Sequence, residues 1–149
     1  MNCSLRRFAT LVAIWCVLLF GSAENSLAGD SSLVHGAESY IGTNPTSMRS
    51  NWCARFANMV LQRTGYQGTN SDSASSFMRL KRVRPTPGAI AITRGTGDSG
   101  LHIAFYKGVD ANGNPILVGG NQGKRVDGRR RVSEVVFPKG YIVKYVNPQ

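Results

Sequence analysis

A chain of 149 residues with 42% apolar and 17% charged side chains is long enough for one domain with a modest core. Eighteen Lys and Arg against 8 Asp and Glu give a net charge of +10, which favours anionic partners: cell-wall polymers, membrane surfaces or nucleic acid. With only 2 histidines and no ligand spacing among 3 cysteines, a Cys/His metal site is excluded, and no cofactor is expected.

Arg6 and Arg7 precede the apolar run Leu11 to Phe20, and Ser26-Leu27-Ala28 offers small residues at the positions a leader peptidase reads. Residues 1–28 therefore read as a secretory signal peptide cleaved near Ala28, with the run too short for a membrane anchor. The mature chain is expected to be exported to the periplasm or the cell exterior. Residues 29–38 are polar and expected to be flexible. Cys3 and Cys16 leave with the leader, so Cys53 remains alone and cannot form an internal disulfide. A lone thiol outside the cytoplasm is an oxidation risk, which hints that it is used.

Asn51 to Thr64 is the clearest helix. Cys53, Phe56, Ala57 and Val60 form one stripe at helical spacing, with Asn51 as expected N-cap and Gly65 after the end. A second, shorter helix is expected after Ser71 or Asp72, through Ala74, Phe77, Met78 and Leu80. Pro85-Thr86-Pro87-Gly88 then breaks the pattern. Short apolar strands follow at Ala89 to Thr93, Leu101 to Lys107 and Ile116 to Gly119, the last two joined by an Asn112-Gly113 hairpin turn. Val132 to Phe137 and Tyr141 to Val146 are expected to pair as the final hairpin. Helices followed by about five antiparallel strands predict an α+β domain.

Cys53 falls in the first helical turn, where free backbone N–H groups favour thiolate. His102 lies on a strand with Leu101, Ile103 and Phe105 on one face and His102, Ala104 and Tyr106 on the other. If the helix packs on the His102 face, the imidazole can take the thiol proton. His35 is the competing base. Asn121, at the end of the neighbouring strand, is the choice for the group that orients the imidazole, with Asp98 and Asp127 as alternatives. The backbone N–H of Cys53 is the expected oxyanion donor, and Tyr40 a further candidate. The basic run Lys124 to Arg131 could hold an anionic envelope polymer or be a solvated loop; with no interleaved aromatic it does not read as a nucleic-acid site.

Trp52-Cys53-Ala54-x-Phe56-x-Asn58, Pro87-Gly88-Ala89-Ile90, Leu101 to Tyr106 and Gly119-Gly120-Asn121-Gln122-Gly123 occur in this order. Together they resemble the NlpC/P60 and CHAP cysteine peptidases and amidases, in particular small bacterial members with a tryptophan-cysteine-alanine motif. The likeness spans roughly Ser39 to Pro148. It implies a papain-like domain over residues 39–149, with N-terminal helices packed on an antiparallel sheet. It also implies amide hydrolysis in peptidoglycan by Cys53, His102 and Asn121 through an acyl-enzyme. Many relatives carry glycine before the histidine, where this chain has Leu101. A non-catalytic envelope-binding module, and an antibacterial toxin of the same chemistry, are the rival expectations.

Overall fold

The computed structural model describes residues 30–95 and 99–148. Residues 1–28, expected to be a leader, and Asp98 lie outside the described residues. Among those described, no helix is long and apolar enough to cross a membrane.

Helix α1 (Ser31–Glu38) occupies most of the stretch expected to be flexible. The Asp30 side chain caps it by accepting from the Ser32 N–H at 2.9 Å, and Tyr66 Oη donates to the other Asp30 oxygen at 3.0 Å. Leu33, Val34 and Ala37 are buried, so this short element is held by packing and not by propensity.

Helix α2 (Cys53–Arg63) carries the anticipated stripe, with Phe56, Ala57 and Val60 buried. Its start departs from expectation. Trp52 is the N-cap residue, without a side-chain cap, and Asn51 takes a left-handed conformation (φ 55°). Its end follows expectation: Gly65 has φ 92°, Gly65 N–H donates to the Gln62 carbonyl and Tyr66 N–H to the Leu61 carbonyl. The segment after Asp72 forms a 3-10 helix, Ala74–Arg79, with Ala74 and Phe77 buried. Asn58 ties this segment to α2. It accepts from the Thr69 N–H at 2.7 Å and donates to the Ser71 carbonyl at 2.8 Å.

Five antiparallel strands follow: β1 (Ile90–Arg94), β2 (Leu101–Val109), β3 (Pro115–Val126), β4 (Arg129–Val136) and β5 (Ile142–Val146), in sheet order β4-β3-β2-β1-β5. The domain is thus α+β. The expected β4–β5 hairpin is absent: β5 pairs with β1, and the two last strands lie at opposite edges. Phe137, Pro138 and a short 3-10 turn (Lys139–Tyr141) make the connection. The basic run 124–131, read as a loop, is the far end of the β3–β4 ribbon, turning at Asp127 (φ 49°) and Gly128 (φ 73°).

The two faces of the sheet differ. Ile90, Ile92, Ile103, Phe105, Val118 and Val146 pack with α1 and α2 in the main core. Ala91, Ala104, Tyr106 and Leu117 form a second cluster with Phe137, Ile142 and Tyr145. Helix α2 therefore covers the Ile103 face, so the condition of a helix packed on the His102 face is not met.

Candidate active site

Since α2 and His102 belong to opposite faces, a cavity that takes in both the thiol and the imidazole can open only at the end of β2. Backbone pairing between β2 and β3 runs from Val109↔Pro115 to Phe105↔Val118, and the β3 register slips between Gly119 and Gln122. The strands fork beyond this point. Cys53 approaches the fork from the helix side and His102 from the other. Both line a cavity of about 630 Å³, together with Asn121, Gln122, Leu101 and Arg130.

The glycine-rich segment builds the fork. A Cβ on Gly120 would lie 2.4 Å from the Trp52 ring and 2.8 Å from Phe56 Cβ, so only glycine lets β3 lie against the start of α2. A Cβ on Gly119 would lie 2.7 Å from Ala104 Cβ and 3.0 Å from Gln122 Oε1. Asn121 then adopts φ 58°, a conformation asparagine tolerates better than most residues, and Gly123 φ 72°. The resulting irregularity turns the Gln122 side chain onto the His102 face.

Gln122 Oε1 lies 2.7 Å from His102 Nε2. The amide nitrogen of Gln122 donates to the Leu117 carbonyl at 3.0 Å and the Ser133 carbonyl at 2.6 Å. Both amide hydrogens are thereby engaged, so Oε1 faces the ring and Nε2–H must donate to it. Neutral His102 then carries its proton on Nε2 and presents a free lone pair on Nδ1, the form a general base requires. Phe137 stacks on the imidazole at 6.0 Å with an interplanar angle of 12°, fixing the ring plane.

Asn121, expected to orient the imidazole, is corrected by this geometry. It lines the cavity, its carbonyl oxygen receives Arg130 Nη1 at 3.4 Å, and the carboxamide bonded to the ring is its neighbour Gln122. Alternation counted from Leu117 puts residue 121 on the His102 face; the slip in β3 moves that place to residue 122.

Cys53 is the first residue of α2 and is buried but for 7% of its surface. Burial pushes its thiol above the ordinary value, against the opposing pull of the backbone amides of Ile103, Ala54 and Cys53 itself. The expected lowering by the helix N-terminus is present and is outweighed. Burial likewise holds His102 below its ordinary value; the Gln122 hydrogen bond acts upward and the charge of Arg130 downward. The resting pair is therefore neutral thiol and neutral imidazole. Among the described residues, Gln122 supplies the side-chain hydrogen bond to the ring, and the sulfur meets backbone amides. The Cys53 N–H, at the first position of the helix, has no partner within α2.

The remaining candidates fall elsewhere. His35 is in the last turn of α1 and does not line the cavity. The Tyr40 ring packs edge-on against Phe56 at 5.9 Å, beneath the Arg63 guanidinium. Asp127 sits at the exposed ribbon tip, 3.9 Å from Arg131. Two residues with no role assigned from sequence matter to the site. Gln122 was hidden by the β3 slip, and Arg130 by its place in a charge run that reads as solvated. Among the described residues no group of His, Cys, Asp and Glu is arranged to hold a metal ion. No family model, no curated protein and no solved structure matches this chain.

Proposed function

We propose that this chain is an exported cysteine hydrolase of papain-like type that cleaves amide bonds of peptidoglycan. The observation that carries the reading is a single cavity reached by a helix-start cysteine and by a histidine whose tautomer Gln122 fixes. Cys53 Sγ attacks the amide carbonyl while His102 Nδ1 takes the thiol proton. The oxyanion forms beside the Cys53 N–H. The imidazolium then gives its proton to the departing amine, leaving a thioester on Cys53. A water, deprotonated by His102, adds to the thioester and releases the acid and the thiol.

Because thiol and imidazole are both neutral at rest, proton transfer accompanies attack; no preformed ion pair is required. The ordered motifs that resemble NlpC/P60 and CHAP enzymes support peptidoglycan as substrate. The net charge of +10 supports retention on an anionic envelope. The buried, neutral thiol is what favours the rival reading, a wall-binding module that does no chemistry.

The test is digestion of purified sacculi with mature protein and with Cys53→Ala, followed by mass spectrometry of released muropeptides. Cleavage at one type of amide bond, lost in Cys53→Ala, is the expected result. Equal binding by both proteins with no released fragment would leave the module.

A further inference from the structure

Arg130 sits on β4, part-buried in the wall of the same cavity. Its Nε is buried and has no hydrogen-bond partner. Among the described residues its guanidinium makes a single long hydrogen bond, the 3.4 Å approach of Nη1 to the Asn121 carbonyl. The ion pairs formed among the described residues do not include it. Asp72, a carboxylate on the cavity wall, is already paired with Arg55, through Arg55 Nε at 3.1 Å and Nη2.

A buried guanidinium edge without a partner is costly, because the donor has lost water and gained nothing. On the cavity wall the part-buried guanidinium, with no ion pair among the described residues, favours a carboxylate that its Nη–H groups can bond with charge assistance. The guanidinium is also close enough to His102 for its charge to disfavour the imidazolium. An anion bound to it would lie beside the reacting groups. The cavity volume of about 630 Å³ leaves room for peptide-sized ligands.

We propose that Arg130 is the docking residue for a substrate carboxylate lying beside the scissile amide, so that the site selects acidic stem peptides over their amidated forms. This rests on the hydrolase reading and names its substrate class. Docking also partly cancels the Arg130 charge that opposes proton uptake by His102, so the right substrate favours its own cleavage.

The test uses two synthetic stem peptides, identical except that one bears free carboxylates and the other carboxamides. Wild-type protein is expected to cleave the acidic peptide with kcat/KM about 10- to 100-fold higher. Arg130→Gln is expected to lose that ratio, and Arg130→Lys to keep part of it. Binding of both peptides to Cys53→Ala and to Cys53→Ala/Arg130→Gln, by calorimetry, gives a readout independent of turnover. Circular dichroism melting confirms that each variant folds. Equal handling of the two peptides by wild type, or a ratio unchanged in Arg130→Gln, overturns the proposal. Preference in binding without cleavage of either peptide would retain the carboxylate site and sink the hydrolase. Cleavage without preference would do the reverse.

Discussion

His102 and Gln122 are joined by a 2.7 Å hydrogen bond in which the imidazole must donate, because the Gln122 amide nitrogen is engaged by the Leu117 and Ser133 carbonyls. Two carbonyls from β3 and β4 thus dictate which ring nitrogen of a β2 histidine is free.

This makes Gln122 a positioning residue with a distinctive signature. Gln122→Ala should lower kcat about 100-fold with little effect on KM, since it removes orientation and not binding. Gln122→Glu should place a negative charge beside Nε2, raise the His102 pKa and shift the acid limb of the rate profile to higher pH. Asn121→Ala should leave that limb in place and act chiefly through its strained φ of 58°, costing about 1 kcal/mol in stability. Kinetics on muropeptides with urea melts would separate the two residues. A large kcat loss confined to Asn121→Ala would refute the assignment.

The thiol and imidazole predict pH behaviour of definite sign. Burial raises the Cys53 thiol above its ordinary value, so alkylation by iodoacetamide in the free protein should rise at higher pH than for a free cysteine. His102 is lowered below 6.5, chiefly by burial. The unfolded state then takes up a proton near 6.5 before the native state does, so stability falls as pH drops below about 6.5. His102→Gln should flatten this slope. Denaturant melts of both proteins between pH 7 and pH 5 would show it; parallel curves would mean that His102 does not titrate differently on folding.

Much of this arrangement can be read from the chain before folding. The α2 stripe, the Gly65 stop, and strands near Ile90, Leu101 and Ile116 follow local periodicity and turn chemistry, and all form. Long-range pairing does not follow from local pattern. Pro138-Lys139-Gly140 has the composition of a hairpin turn, yet β5 pairs with β1 because β4 is already joined to β3 along a longer ribbon. The capping role assigned to Asn51 went to Trp52, whose ring is fully buried against Phe56 and Gly120, so packing outweighed a side-chain cap. Gly119 to Gly123 could be recognised as special, but which carboxamide meets the imidazole depends on a slip in strand register that composition does not encode. The helical Ser31–Glu38 was masked by its polar residues, since Leu33, Val34 and Ala37 gain their burial only from tertiary contact.

Gly120 is the tightest joint between sheet and helix. With an ideal Cβ 2.4 Å from the Trp52 ring and 2.8 Å from Phe56 Cβ, Gly120→Ala must push α2 from β3. A loss of about 1–3 kcal/mol is expected, with reduced activity because Cys53 follows Trp52 directly. Gly140→Ala, with nothing within 4 Å, is the control and should be close to neutral. Thermal melts decide between them, and equal stability of the two variants would contradict the packing.

Asn58 offers the sharpest test that the cavity wall is held from behind. It is 7% exposed, and its carboxamide meets the Thr69 N–H and the Ser71 carbonyl, immediately before Asp72, Ser73 and Ala74 line the cavity. A Cβ at Gly68 (φ 70°) would lie 2.4 Å from Asn58 Oδ1, so the loop is drawn tightly over this side chain. Asn58→Ala leaves a buried N–H and a buried carbonyl without partners, which should cost about 1–3 kcal/mol for each group that water cannot reach. Asn58→Asp keeps the acceptor for Thr69 and loses the donor to Ser71, so it should fall between wild type and Asn58→Ala near neutral pH. Amide hydrogen exchange should show residues 69–74 opening in Asn58→Ala while β1 and β2 stay protected. Uniform loss of protection across the domain would instead make Asn58 a general core residue with no special hold on the cavity.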